Sequence, residues 1–184
     1  MTMTRNGVNV EGLFGALDAV KSQPEAAKFQ FKATNEWISG THSRSRIHEF
    51  FGLGAPQEHR QVFEYDADHP TQLVGTDVGP SPTEFLLHAL AACITAGVGN
   101  VAAARGIELR RVSSTVTGDI DLVGLLGIDP GTRNGYGSIE MEISIEGDAD
   151  AGDLAKVVER SVARSAVYDM LTNGTQVSVS VKTG

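Results

Sequence analysis

The chain has 184 residues, 41% of them hydrophobic and 21% charged, a globular composition that excludes a fibrous or wholly disordered protein. Its formal net charge of −8 at pH 7 argues against a nucleic-acid partner, because binding to phosphates needs a basic face. The only cysteine, Cys93, excludes an intrachain disulfide and a zinc site made of several thiolates, but it leaves one thiol that can react.

The first part of the chain predicts a short helix and then strands. Apolar side chains at helical spacing predict a helix over residues 11–22, which Pro24 ends. Alternating patterns predict a half-buried strand at 27–38, a turn at Gly40 and a returning strand at 41–50. A loop at 51–56 and a short strand at 61–66 follow, and residues 67–81 form a long connection rich in Pro and Gly.

A long apolar helix comes next. Ser81 is placed as the N-cap, Pro82 as the first helical residue and Glu84 as the third, which is the pattern of a capping box. The helix is expected to run to Arg105, where Gly106 ends it.

Residues 85–104 carry no formal charge, so their length alone would allow a membrane span. The stretch is rich in Ala and Gly and contains His88, Thr95 and Asn100, which favours a buried central helix of a soluble protein. No apolar signal core precedes it, so we expect a cytoplasmic protein without a membrane partner.

The second part predicts strands at 111–122 and 138–146, a helix at roughly 151–172 and a last strand at 175–181. The glycine-rich residues 124–137 are expected to connect the first two strands, either as a plain hairpin loop or as a mobile flap. Strands grouped apart from helices favour an α+β fold over a doubly wound sheet.

Cys93 lies about three turns inside the long helix, too far from its N-terminus for the helix dipole to lower the pKa of the thiol. A reactive thiol there needs a cation or a hydrogen-bond donor from another element, and Arg44 and Arg46 are the candidates, since no lysine occurs between residues 32 and 156. The alternatives are that Cys93 is a small apolar core residue and that the arginines belong to a solvated strand face.

Two segments of the chain resemble the signature motifs of one protein family. The segment GPSPTEFLLHALAACITA, which starts at residue 79, resembles the signature of the OsmC/Ohr family of osmotically inducible and organic-hydroperoxide-resistance proteins. The segment RSAVYDML at 164–171 is similar to the second signature of that family, Arg-Cys-Pro-Val-x-x-x-Leu. The resemblance covers a single OsmC-like domain at 27–184 and leaves residues 1–26 as an N-terminal extension with a short helix.

The resemblance implies an intertwined homodimer with antiparallel sheets around long central helices. It also implies a thiol peroxidase in which one cysteine attacks an organic hydroperoxide and becomes a sulfenic acid, which a second cysteine resolves as a disulfide. Carried over, Cys93 matches the attacking cysteine, and Glu84 the glutamate that helps to hold the thiol as thiolate. The arginine of the family comes from the N-terminal strands, so the resemblance points to Arg44, with Arg46 in reserve.

The chain departs from this pattern at the resolving cysteine. Ser165 stands there and Ala166 replaces the proline after it, so a sulfenic acid at Cys93 has no disulfide partner in the chain. Glu84 departs in geometry, because nine residues on a regular helix correspond to about 900°, which places Glu84 and Cys93 on opposite faces.

A metal site is not expected. His42 and His48 share a strand face but are about 20 Å apart along an extended strand, so they cannot bind one ion. His59 and His69 resemble loop residues, and His88 is not on the side of Cys93. No cofactor is predicted.

The sequence therefore predicts an oxidative-stress protein that reduces organic hydroperoxides weakly through Cys93, with an external thiol as reductant. The alternative is a non-catalytic protein of the same fold that binds a small apolar or peroxide-like ligand. A third hypothesis is a stress-associated scaffold in which the cysteine is only core.

Overall fold

The computed structural model describes residues 4–184, which form two compact units. An N-terminal unit is built mainly from Asn9–Leu86, and a C-terminal unit from Leu87–Gly184 together with Arg5–Val8. Strands and helices are segregated along the chain, which confirms the predicted α+β class.

The N-terminal residues form a small hairpin and a capped helix. Strands β1 (Thr4–Arg5) and β2 (Val8–Asn9) pair, and α1 (Val10–Ser22) follows. The side chain of Asn9 caps α1 by accepting a 2.9 Å hydrogen bond from the amide of Gly12. A short 3-10 turn, Pro24–Ala27, follows α1, in agreement with the predicted end of this helix.

The sheet of the N-terminal unit is antiparallel and centred on β5 (His42–Gly52). Both β3 (Gln30–Phe31) and β4 (Thr34–Ser39) pair with β5, at different parts of its length, and β6 (Ala55–Ala67) also pairs with it. The strand predicted at 27–38 is therefore divided into two, while the turn at Gly40 and the returning strand are confirmed.

The loop predicted at 51–56 is wrong, because strand pairing continues as far as Gly52 and resumes at Ala55. Only Leu53 and Gly54 form the turn, with φ of 54° and 78°. Positive φ at both central residues is what a two-residue hairpin turn of type I′ requires, so this turn closes without a longer loop. The short strand predicted at 61–66 is accordingly the second half of the longer β6.

The connection after β6 is organised by one buried carboxylate. Asp68 is 1% exposed and accepts hydrogen bonds from the hydroxyls of Thr41 (2.6 Å) and Thr76 (2.7 Å). The backbone amides of His69 and Thr76 also donate to it, at 2.8 and 2.9 Å. These bonds fold the loop that leads into the next helix.

Helix α2 (Pro82–Arg105) has the predicted bounds and the predicted capping box. The amide of Ser81 donates to Glu84 Oε2 at 2.7 Å, and the amide of Glu84 donates to Ser81 Oγ at 3.3 Å. Gly106, at φ 78°, ends the helix. By length and composition α2 is apolar enough to cross a membrane, a test that core helices of soluble proteins also pass.

The C-terminal unit contains most of the buried apolar side chains. Strands β7 (Leu109–Asp119) and β8 (Ser138–Gly147) form an antiparallel pair, joined by a connection that contains α3 (Leu122–Leu125). Leu90, Ile94 and Val98, at four-residue spacing on α2, lie in one core cluster with Leu154 and Val157 of α4 (Ala151–Val162). One stripe of α2 is thus core.

Two predictions for the last forty residues are wrong. The helix predicted at 151–172 is interrupted, because α4 ends at Val162 and α5 (Ala166–Asn173) begins after a break, with Ser165 as its N-cap. Residues 175–184 form no strand. Val177, Val179 and Val181 alternate as predicted but are 79%, 87% and 82% exposed, since a strand also needs a hydrogen-bonding neighbour, which alternation alone does not supply.

Candidate functional site

The candidate site is centred on Cys93, a free and half-buried cysteine on α2. The break between α4 and α5 brings the N-terminus of α5 to this thiol. Ser165, which is 4% exposed, begins α5, and Ala166 and Val167 supply the first backbone amides of the helix. Such amides have no carbonyl partner inside their own helix, so they are free to bind another acceptor.

The groups around the sulfur favour the thiolate. Burial raises the pKa of the Cys93 thiol, but the Ser165 hydroxyl and the amides of Val167 and Ala166 lower it by more, so that the pKa falls below the ordinary value. Ser165 Oγ accepts a hydrogen bond from the amide of Tyr168 at 3.2 Å, which leaves its own proton for the sulfur. The dipoles around the sulfur thus favour the thiolate form of Cys93.

For this thiol the sequence predicts a cation or donor from another element, with Arg44 and Arg46 as candidates. The donors of α5 are not predicted, because the single helix expected over 151–172 places the amides of Ala166 and Val167 inside a helix. A signal was present: serine is among the preferred N-cap residues, so Ser165 was a candidate for the start of a second helix.

Arg44 and Arg46 lie in the N-terminal unit, where each faces a carboxylate of β6. The Arg44 guanidinium donates to both oxygens of Asp66, at 2.9 and 3.3 Å, and Arg46 lies 3.3 Å from Glu64. His42 Nε2 is 2.7 Å from the same Asp66. These hydrogen bonds, from His42 first and then Arg44, lower the pKa of Asp66, and Asp66 raises the pKa of Arg44.

Glu84 is exposed at the start of α2 and is occupied by its cap. Its Oε2 accepts from both the amide and the hydroxyl of Ser81, each at 2.7 Å, and these bonds lower the pKa of the carboxyl. Since α2 is helical from Pro82 onward, the opposite orientation of Glu84 and Cys93 inferred from the sequence applies to this helix. The catalytic roles of Glu84 and Arg44 remain predictions of the resemblance.

The histidines are dispersed. Within residues 4–184 no group of three or more His, Cys, Asp and Glu side chains has the arrangement of a metal site. His59 packs against two phenylalanines, with ring centroids 5.1 Å from Phe50 and 5.5 Å from Phe63, and His48 Nε2 is 3.6 Å from Glu58.

Solved structures share this fold. An OsmC-like protein from Mycoplasma pneumoniae is 18% identical, with a TM-score of 0.60 over 83% of this chain and 96% of its own. An organic hydroperoxide resistance protein from Elizabethkingia anophelis is 14% identical, with a TM-score of 0.54 over 78% and 88%. An organic hydroperoxide resistance protein OsmC from Legionella pneumophila is 16% identical, with a TM-score of 0.53 over 78% and 91%.

No curated protein matches the chain. The sequence model of the family described as OsmC-like protein matches residues 75–180, which include α2 with Cys93 and the break with Ser165. This match covers more than half of the chain, and the fold agrees with it. The chain therefore belongs to the OsmC-like protein family.

Proposed function

We propose that the protein reduces organic hydroperoxides through Cys93 alone, weakly, with an external low-molecular-weight thiol as reductant. The observation that carries the proposal is the set of donors from α5, namely the Ser165 hydroxyl and two backbone amides, which favour the thiolate of Cys93. Membership of the OsmC-like family and the names of two structural neighbours, organic hydroperoxide resistance proteins, support it.

In the first step the thiolate sulfur of Cys93 attacks one oxygen of the hydroperoxide. An S–O bond forms, the O–O bond breaks, and the alkoxide leaves and takes a proton to become an alcohol. The cysteine is oxidised to a sulfenic acid and the hydroperoxide is reduced. The donors of α5 assist this step by holding the attacking sulfur deprotonated.

Ser165 determines the second step. A serine cannot form a disulfide, so the sulfenic acid is attacked by an external thiol, which gives a mixed disulfide and water. A second external thiol then attacks the mixed disulfide and releases Cys93 in its reduced form. Since both attacks depend on encounters with free thiol, turnover is slower than with a resolving cysteine in the same chain.

The test is treatment of the protein with cumene hydroperoxide in the presence of a sulfenic-acid trap, followed by intact mass spectrometry. We expect rapid stoichiometric trapping at Cys93 and none in Cys93→Ser. Ser161→Ala is the control variant and should be trapped as the wild type is, because Ser161 is a buried serine of α4 whose hydroxyl donates to the Val157 carbonyl at 2.7 Å. A cysteine that stays reduced under a large excess of hydroperoxide contradicts the proposal.

A second experiment restores the missing partner. Ser165 is among the groups that act on the Cys93 thiol, so we expect Ser165→Cys to form a disulfide with Cys93 on oxidation and to raise turnover with a dithiol reductant. Failure of this disulfide to form would show that position 165 is not equivalent to that of the resolving cysteine of the family.

A second candidate function is binding of a small apolar or peroxide-like ligand without turnover. The serine at position 165 favours it, because the chain lacks the usual route for regenerating the thiol. The two functions separate in steady-state assays with excess thiol: repeated consumption of hydroperoxide supports the first, and saturable binding with an unchanged Cys93 mass supports the second.

We further propose that the protein is a homodimer in the cytoplasm. The exposed valines of residues 175–181 and the incomplete burial of α2 leave apolar surface that a second copy would cover. Analytical ultracentrifugation should give twice the mass of the chain. Val177, Val179 and Val181 changed together to Ser should weaken the dimer, whereas changing Ser178 and Ser180, the polar residues between them, to Ala should not. A wild-type monomer at micromolar concentration contradicts the proposal.

A further inference from the structure

Asparagine followed by glycine occurs three times in the chain, at residues 6–7, 134–135 and 173–174. Asparagine loses its side-chain amide most readily in this sequence, because glycine has no Cβ to hinder attack by its own backbone nitrogen. The attack also requires an asparagine side chain that is free to rotate and a backbone that no regular element holds. The three pairs differ in these conditions.

The first pair is held through the side chain of its asparagine. Asn6 Nδ2 donates to the carbonyl of Ile107, and Asn6 Oδ1 accepts from the amide of Leu109, both at 2.9 Å. Both hydrogen bonds have to break before the side chain can turn toward the nitrogen of Gly7. We therefore expect Asn6 to react slowly while the protein is folded.

The third pair is held at the end of a helix. Asn173 is the last residue of α5, and its Nδ2 donates to Asp169 Oδ1, one turn earlier, at 2.7 Å. This bond engages the amide group that has to leave, and the helix fixes the backbone before it. We therefore expect Asn173 to react slowly in the folded protein as well.

The second pair has neither restraint. Asn134 is exposed and lies in neither a helix nor a strand, and within residues 4–184 its side chain has no hydrogen-bond partner. In the same part of the chain the amide of Gly135 has no acceptor either. A Cβ built at Gly135 would meet only the Arg133 side chain, at 3.9 Å, so the space around the attacking nitrogen is open.

The chain is anchored on both sides of this exposed pair. On one side the carbonyl of Arg133 lies against Gly124 of α3, so closely that only a residue without a Cβ fits there. On the other side the ring of Tyr136 packs on Gly118 of β7, and the amide of Gly137 donates to the last carbonyl of β7 at 2.9 Å. The reactive pair thus joins two segments that are themselves held in place.

We propose that Asn134 is a site of spontaneous deamidation and that the isoaspartate formed there loosens the connection between β7 and β8. The Gly135 nitrogen attacks Cγ of Asn134, an N–C bond forms, and the bond from Cγ to the side-chain nitrogen breaks, which releases ammonia. Water then opens the resulting succinimide. Opening at one carbonyl gives aspartate, and opening at the other gives isoaspartate, in which the main chain runs through the former side chain.

The loosening follows from the length of the modified chain. Isoaspartate adds one methylene to the main chain between the anchors at Arg133 and Tyr136. Both anchors are close contacts with a glycine, which leave little room for adjustment. We expect the added atom to displace one of these contacts.

The test is prolonged incubation of the folded chain at neutral and mildly alkaline pH, followed by mass-spectrometric peptide mapping that separates asparagine, aspartate and isoaspartate. Conversion at Asn134 should be at least about tenfold faster than at Asn6, because two hydrogen bonds have to break at Asn6. The rate should rise with pH, since the attacking nitrogen reacts after it loses its proton. In urea all three pairs should react at similar rates, and similar rates in the folded protein overturn the proposal.

Gly135→Ala is the decisive variant. The φ of Gly135 lies outside the left-handed region and the space around it is open, so alanine fits without strain while its methyl group hinders the attack. Conversion at Asn134 should fall to the level of Asn6, with unchanged thermal stability. Gly137→Ala, at another open glycine of this connection, is the matched control and should react as the wild type does. Undiminished conversion in Gly135→Ala contradicts the mechanism.

A second variant tests the restraint at the third pair. Asp169→Ala removes the acceptor of the Asn173 side chain, so conversion at Asn173 should become faster while that at Asn134 stays the same. An unchanged rate at Asn173 would show that side-chain hydrogen bonds do not select among the three pairs. Cys93→Ser should convert Asn134 at the wild-type rate, which keeps this proposal separate from the hydroperoxide chemistry.

Hydrogen exchange tests the effect on the connection. The isoaspartate form carries an additional negative charge and can be separated from the unmodified chain by ion exchange. The Gly137 amide, whose bond to β7 closes the connection, should exchange faster in this form. The amide of Val98, a fully buried residue of α2, should exchange equally in both forms. Equal protection of Gly137 in the two forms contradicts the loosening.

Discussion

The two units of the chain stabilise their functional groups by different means. In the C-terminal unit an apolar core positions α2 and α5 so that hydrogen-bond donors surround Cys93. In the N-terminal unit charged side chains of β5 face carboxylates of β6, and the buried hub is Asp68. The difference shows that the charged side chains of β5 find their partners within the N-terminal unit, whereas the donors described at Cys93 come from within the C-terminal unit.

The largest effect is expected from the core beneath the thiol. Leu154→Ala should lower the free energy of unfolding by about 2–5 kcal/mol, because it removes a buried side chain from the cluster that α2 and α4 share. Leu126→Ala, at a 64% exposed leucine, should change it by about 0.5 kcal/mol or less. Urea denaturation measures both; equal effects would show that the apolar core does not hold this unit.

The next largest effect on stability is expected from Asp68, the buried carboxylate of the N-terminal unit. Hydrogen bonds from Thr41 first, and then from Thr76 and from backbone amides, hold the pKa of Asp68 far below its usual range. The carboxylate thus stabilises the fold at every pH above the ordinary aspartate pKa, and this contribution is lost only as pH falls through the depressed value.

Asp68→Asn should therefore lower the urea midpoint at neutral pH and flatten its decline in acid. Asp77→Asn, at an exposed aspartate of the same loop, should leave the midpoint close to that of the wild type. If the urea midpoint of Asp68→Asn declined in acid as steeply as that of the wild type, the Asp68 carboxylate would not be the group that stabilises this loop.

A smaller effect is expected at the thiol itself. Ser165→Ala should raise the pKa of Cys93 and slow its alkylation by iodoacetamide severalfold at neutral pH, because a donor to the thiolate is lost. Ser165→Asp keeps an N-cap for α5 but places a negative charge near the sulfur, so it too should slow alkylation. An alkylation rate that drops in Ser165→Ala but not in Ser165→Asp would assign the effect to the cap alone.

The smallest effect is expected at Arg44 of β5. Arg44→Gln removes an exposed ion pair with Asp66 and should change stability little, by an amount that high salt abolishes. It should also leave the pH dependence of Cys93 alkylation unchanged. A raised Cys93 pKa in Arg44→Gln would show that Arg44 does act on the thiol, which is the role that the resemblance implies.

Local signals in the sequence were sufficient for much of the fold. The capping box of Ser81 and Glu84 and the glycine at 106 fixed α2 at both ends, because caps act on neighbouring backbone groups. Alternation likewise located β7 and β8 to within a few residues. The two motifs that resemble the family signatures contain Cys93 and Ser165, respectively, and the family match includes both positions.

Tertiary structure decided what depends on distant groups. Periodicity did not reveal the break before Ser165, so the donors that act on Cys93 became visible only when α5 was placed beside α2. The hydrogen bonds of Asp68 join residues from 41 to 76, and Asn6 pairs with the backbone a hundred residues later, contacts that no local pattern encodes. The sequence by itself determined which thiol is available and where its helix begins and ends, since these follow from residue identity and local capping; the fold decided which groups surround that thiol, since this follows from packing between elements far apart in the chain.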